Sequence, residues 1–111
     1  MGIELELHAE RPALDWDRSR ATLLRGSYDH GEALAEMLSV TSEAEHGRLA
    51  RVDAYGDTVF DGRQAEAALH AAASLLLMYS SERQKAAVRD LMTMLRCCAD
   101  TPGSCLWFVG D

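Results

Sequence analysis

The chain has 111 residues, 48% hydrophobic and 26% charged, which makes residues 1–111 a single globular domain with no room for a second core and too apolar to be disordered. Lys and Arg total 11 against 18 Asp and Glu, a net charge of −7. That balance excludes a nucleic-acid binder, whose affinity comes from neutralising phosphates, and it excludes docking on an anionic membrane.

The first segment, Gly2-Ile3-Glu4-Leu5-Glu6-Leu7-His8, alternates strictly. Ile3, Leu5 and Leu7 fall on one side and Glu4, Glu6 and His8 on the other, the pattern of a strand with a buried and a wet face. Pro12 stops it. Asp15 is placed to cap a short helix beginning near Trp16, with Asp17 in its first turn. Trp16, Arg20, Leu23 and Leu24 keep helical spacing, and Gly26 is its expected terminator. After the turn-rich stretch 27–30, Leu34, Met37, Leu38 and Thr41 form the stripe of a second amphipathic helix. Residues 29–45 carry five acids (Asp29, Glu32, Glu36, Glu43 and Glu45) and no Lys or Arg, so the remainder of the chain sums to −2.

Arg48 to Asp53 is expected as a short strand, Tyr55-Gly56-Asp57 as a turn and Thr58-Val59-Phe60 as a brief β segment. Asp61 and Gln64 have capping-box spacing, with Phe60 at the preceding position to pack on the first turn. A long helix rich in Ala and Leu should follow, from about Gly62 to Tyr79, with Ala65, Leu69, Ala72, Leu75, Leu76 and Tyr79 as its apolar stripe. Ser81 and Gln84 repeat the box. The last helix is expected from about Glu82 to Ala99, with Val88, Leu91, Met92, Leu95 and Cys98 on one face. So short a link makes the two an αα-hairpin. Thr101-Pro102-Gly103 ends it, and Cys105 to Val109 reads as a final strand. The expected class is α+β: a small sheet including the N- and C-terminal strands, packed against the αα-hairpin and one or two shorter helices. The pattern is compatible with the terminal strands as neighbours or with the middle strand between them.

Few residues suggest chemistry. Asp53, Asp57 and Asp61 are spaced by four, but a calcium loop counted from Asp53 would place Thr58 where glycine is needed and Gln64 where a bidentate Glu is needed. Those aspartates read instead as a strand end, a turn and a helix cap. His8, His30, His46 and His70 have no zinc-site spacing and read as surface or helix-flank residues. Cys97, Cys98 and Cys105 form no CxxC pair, and an odd count with two adjacent cysteines is unlike a secreted disulfide framework. Cys98 falls on an apolar face as a small hydrophobe, Cys97 is more exposed, and Cys105 begins a strand from which it can approach the pair. There is no nucleophile elbow, no P-loop and no dinucleotide fingerprint. Trp16 and Trp107 are expected in the core. No catalytic residue, metal ligand or cofactor is assigned. The N-terminus lacks the basic and apolar regions of a signal peptide, and Ala71 to Met78 is too short to span a bilayer, so the expectation is a reduced, cytoplasmic protein.

Two blocks resemble a family of small uncharacterised bacterial proteins. Arg51-Val52-Asp53-Ala54-Tyr55-Gly56-Asp57-Thr58-Val59-Phe60-Asp61, with Gln64 shortly after, is similar to their R-x-D-x-Y-G-D-T-x-F-N-x-x-Q motif, and Phe108-Val109-Gly110-Asp111 is similar to their C-terminal F-x-G-D. Asp61 departs from the usual Asn but can still cap a helix. The resemblance implies no activity. It implies that Asp53, Tyr55, Gly56, Asp57, Phe60 and Gln64 form one structural unit.

The functional expectation is a non-enzymatic, acidic protein-binding module, immunity- or antitoxin-like, that recognises a basic protein partner through Asp29, Glu32, Glu36, Glu43 and Glu45. The alternative is a small-molecule-binding protein or enzyme with a site around Asp53, Tyr55, Asp57 and Gln64. A homodimer through the αα-hairpin is a third arrangement, because the apolar stripe is wide for one small sheet.

Overall fold

The alternation of Ile3, Leu5 and Leu7 produces strand β1 (Ile3–His8), with all three leucine and isoleucine side chains buried. A computed structural model describes residues 2–10, 22–78 and 80–110. Three further strands, β2 (Leu23–Ser27), β3 (Asp57–Asp61) and β4 (Cys105–Gly110), join β1 in one antiparallel sheet of order β2-β1-β4-β3. The terminal strands are therefore neighbours, and the middle strand lies outside them on the β4 edge. The helical elements are α1 (Gly31–Leu38), α2 (Glu43–His46), a 3-10 turn (Gly47–Arg51), α3 (Gly62–Leu75) and α4 (Glu82–Asp100). The protein is α+β, with its helices packed on the sheet face that carries Leu5, Leu7, Phe60, Leu106 and Phe108.

Both predicted capping boxes form. Asp61 Oδ1 accepts the Gln64 amide at 2.8 Å, and Gln64 Oε1 accepts the Asp61 amide at 3.0 Å. Ser81 Oγ accepts the Gln84 amide at 3.1 Å, and Gln84 Oε1 accepts the Ser81 amide at 3.0 Å. Each box satisfies two backbone donors that a helix start would otherwise leave unpaired. Phe60, ahead of the first box, is fully buried, with its ring centroid 4.8 Å from that of Phe108. The small side chains Ala65, Ala68 and Ala72 bring α3 close to α4, whose Val88, Leu91, Met94, Leu95 and Cys98 fill the space between hairpin and sheet. Met94, not Met92, takes the interior position; Met92 is half-buried.

Four expectations are corrected. Leu23, Leu24 and Gly26 lie in strand β2, not in a helix; the rest of that expected helix, Asp15 to Arg20 with Trp16, lies outside the described residues. The free edge of β1 outweighs helical spacing here, because pairing satisfies the backbone of both strands at once. A Cβ at Gly26 would collide with the Tyr28 ring, which folds back over the strand and donates a hydrogen bond to Glu6 Oε2 at 2.9 Å. Second, Arg48 to Asp53 is not a strand. Gly47, at φ +57°, turns the chain out of α2, and the 3-10 turn places Leu49 and Val52 three residues apart on one side, both against the core. Third, α3 stops at Leu75. Residues 76–78 continue as 3-10 bonds to Ala73, Ser74 and Leu75, while the Ser74 hydroxyl donates to the Ala71 carbonyl at 2.8 Å and competes with the helical ladder. Fourth, His8 and His46 are buried and not at the surface.

Candidate functional site

Glu32 and Glu36 stand four residues apart on α1 and so share a face. Both reach Arg83 in the first turn of α4, at 3.6 and 3.0 Å, and Glu36 Oε1 also accepts from Gln84 Nε2 at 3.3 Å. Glu43 begins α2 and accepts from Arg51 Nε at 2.6 Å. That hydrogen bond, and then the charge behind it, holds the Glu43 carboxyl below its ordinary range and pushes the Arg51 guanidinium up. Asp29 and Glu45 are exposed. The five carboxylates of the 29–45 window thus meet two arginines, leaving three negative charges uncompensated. The Glu32 side chain is 75% exposed and the Arg83 side chain 53%, so the pairs of Arg83 with Glu32 and Glu36 are wet and contribute about 0–1 kcal/mol each.

The second predicted set is built into a turn. Asp53 Oδ1 accepts the Tyr55 amide at 2.9 Å, and the Asp53 amide donates to Thr58 Oγ1 at 3.0 Å. Tyr55 is 69% exposed, Asp57 starts β3 opposite Val109, and the Gln64 side chain is held in the capping box. The C-terminal block closes on this turn: the Gly110 amide donates to the Gly56 carbonyl at 2.8 Å. A Cβ at Gly110 would stand 2.6 Å from the carbonyl oxygens of both Ala54 and Gly56. The 51–64 segment and the C-terminal strand are therefore in direct contact, and Gly110 in the second is needed by the turn in the first.

A cleft of about 490 Å³ lies between the α2/3-10 segment and α3. Sequence reasoning missed it, because its two walls are separated in the chain and neither carries a motif. Glu45, His46, Gly47 and Arg48 form one side. Arg63 and His70 flank the other, above a floor of Ala67, Ala68 and Ala71. Arg51 is committed to Glu43, but neither Arg48 nor Arg63 has an ion-pair partner among the described residues. His46 is only 4% exposed, and its Nδ1 accepts the Ser42 amide at 3.2 Å. With Nδ1 accepting, Nε2 is the ring's donor, and it has no hydrogen-bond acceptor among the described residues.

The sheet face turned away from the helices carries Glu4, Glu6, His8, Val59, Cys105, Trp107 and Val109. His8 is buried by its contacts there. Its Nδ1 lies 2.9 Å from Thr22 Oγ1, its Nε2 lies 3.2 Å from Glu6 Oε1, and its ring meets Trp107 edge-on at 6.0 Å. Trp107, expected in the core, is instead half-buried on this outer face, with its indole N–H enclosed and unpaired among the described residues. On the opposite side Cys98 is sealed in the core. The Ser104 hydroxyl lies 2.7 Å from the Thr101 carbonyl and 3.0 Å from the Cys98 carbonyl, and its one proton is shared among these acceptors at the C-terminus of α4. Burial pushes the Cys98 thiol up, against the hydrogen bond from Ser104. Cys97 is half-buried, with Arg25 Nη1 3.9 Å from its sulfur.

Among the described residues, no three His, Cys, Asp or Glu side chains gather as a metal site, and no helix is long and apolar enough to cross a membrane. Comparison with family models, with curated proteins and with solved structures finds no match to this chain.

Proposed function

We propose that this chain is a non-enzymatic acidic module that docks a basic protein partner through the 29–45 window, in the manner of a cytoplasmic immunity or antitoxin protein. The observation that carries the reading is the state of those carboxylates. They stand at the surface, they outnumber their arginines, and their counter-ions are themselves wet. A partner's guanidinium or ammonium groups can replace Arg83 and Arg51 with little desolvation cost, and the excess charge steers such a partner toward the face. The turn at Asp53 supports the same reading from the other side. Its carboxylate already serves a backbone amide, and Tyr55 and Asp57 are exposed.

The test is affinity capture from a lysate of the source cell with the wild-type chain and with the double variant Glu32→Lys/Glu36→Lys, after circular dichroism has shown that the variant folds. The expected result is a basic protein retained by the wild type, released by salt, and lost from the variant. Recovery of the same proteins by both chains would remove the acidic face from the account.

A further inference from the structure

The cleft beside α3 has a charge opposite to that of the chain that holds it. Arg48 and Arg63 border one concavity from its two sides, and neither has an ion-pair partner among the described residues. The His46 Nε2–H is a second and independent signal. The ring is more than nine-tenths buried and lines the cleft, and its Nε2 has no hydrogen-bond partner among the described residues yet is not an enclosed atom, so it is open to a ligand there. The floor, Ala67, Ala68 and Ala71, is apolar and shallow. The volume falls within the range of small-molecule sites.

We propose that this cleft binds the oxyanion head group, carboxylate or phosphate, of a small molecule. Arg48 and Arg63 clamp the anion from the two walls, as planar guanidinium groups do with both chemistries. The His46 Nε2–H supplies a further donor at the cleft wall, and the alanine floor takes a compact apolar body. Glu45 at the rim is a like charge for such a ligand and limits its affinity. Of the docking window only Glu45 lines this cleft, whereas Glu32 and Glu36 do not, so the two readings are probed by different variants.

The experiment is an NMR titration of the full-length chain with inorganic phosphate and with butyrate, against sodium chloride at matched ionic strength. Saturable shifts are expected at residues 45–48 and 63–71 with at least one probe and not with chloride. Arg48→Gln and Arg63→Gln, both exposed positions, should each weaken binding about ten-fold, the usual consequence of losing one charge-assisted hydrogen bond. Glu45→Gln should tighten it about two- to five-fold, as expected for removing a partly screened like charge. Tighter binding of phosphate names a phosphate head group, and tighter binding of butyrate names a carboxylate on an apolar body. The proposal is overturned if neither probe saturates, if chloride reproduces the shifts, if both arginine variants bind as the wild type does, or if Glu45→Gln weakens binding. Glu32→Lys/Glu36→Lys should leave the titration unchanged, so failure of the docking reading and failure of this one are separately visible.

Discussion

Gly110→Ala tests whether the C-terminal block and the Asp53–Gly56 turn are one structural unit. The added Cβ would stand 2.6 Å from two backbone oxygens, those of Ala54 and Gly56, and neither belongs to a flexible side chain. To reach 3.0 Å, below which such contacts are essentially never found, the turn has to withdraw by at least 0.4 Å. That movement pulls directly on the 2.8 Å hydrogen bond from the Gly110 amide to the Gly56 carbonyl. Loss of this bond costs about 1 kcal/mol, and overpacking at an unyielding site costs about 1–3 kcal/mol. The reduced entropy of the unfolded alanine chain returns about 0.4–1 kcal/mol. The net expectation is a loss of about 1–3 kcal/mol, which at about 2.1 cal/mol/K per residue of unfolding entropy lowers Tm by about 4–12 °C. Thermal and urea denaturation followed by circular dichroism measure both quantities. A variant as stable as the wild type, or more stable, would show that the turn moves freely and that the contact between the two blocks is incidental.

The two capping boxes should contribute separately. Asp61→Ala and Ser81→Ala should each lose about 1 kcal/mol. Helix α3, about 21 Å long, separates the two sites, so the double variant should lose the sum; a marked departure from additivity in urea denaturation would show that the caps are coupled. Cys98, fully buried, should resist iodoacetamide in the native state and react only on unfolding, after Cys97; mass spectrometry of the labelled peptides gives the order. Because folding raises the Cys98 thiol pKa, its contribution to stability should be complete below the ordinary thiol range and decline as pH rises above it. Arg83→Gln should change stability by less than about 1 kcal/mol, since its pairs with Glu32 and Glu36 are exposed, while strengthening retention on an anion exchanger.

The elements most legible in the sequence were those with a local cause. Alternation at Ile3, Leu5 and Leu7 marked β1, and two capping boxes marked the starts of α3 and α4 to the residue. What escaped was decided by distant partners. Leu23 and Leu24 keep helical spacing, but the edge of β1 recruits them into β2 through tertiary hydrogen bonds that no local pattern announces. His8 has the alternation of a wet residue and is nevertheless covered, because Trp107 of the far terminal strand and Thr22 close over it. The acidic window was legible as composition. Its partial neutralisation by Arg83, more than forty residues away, was not. The cleft left no trace in the sequence for the same reason: Arg48 and Arg63 border it together only once the 3-10 turn and α3 are packed against each other.

The two proposed surfaces should answer differently to salt. At physiological ionic strength the screening length is about 8 Å. A protein approaching from beyond that distance experiences the summed field of the chain and its acidic window. That attraction falls steeply as salt is added, so the association rate of a basic partner should drop by about ten-fold or more between low and high ionic strength. A small oxyanion seated in the cleft instead contacts Arg48, Arg63 and the His46 donor at hydrogen-bond range, where walls of alanine and imidazole keep part of the solvent away. Its affinity should weaken by a smaller factor over the same interval. Measuring both salt dependences on one preparation separates the mechanisms. If the oxyanion titration fell with salt as steeply as partner association, the arginines would be acting as a diffuse cloud of charge, and the clamp geometry would have no part in binding.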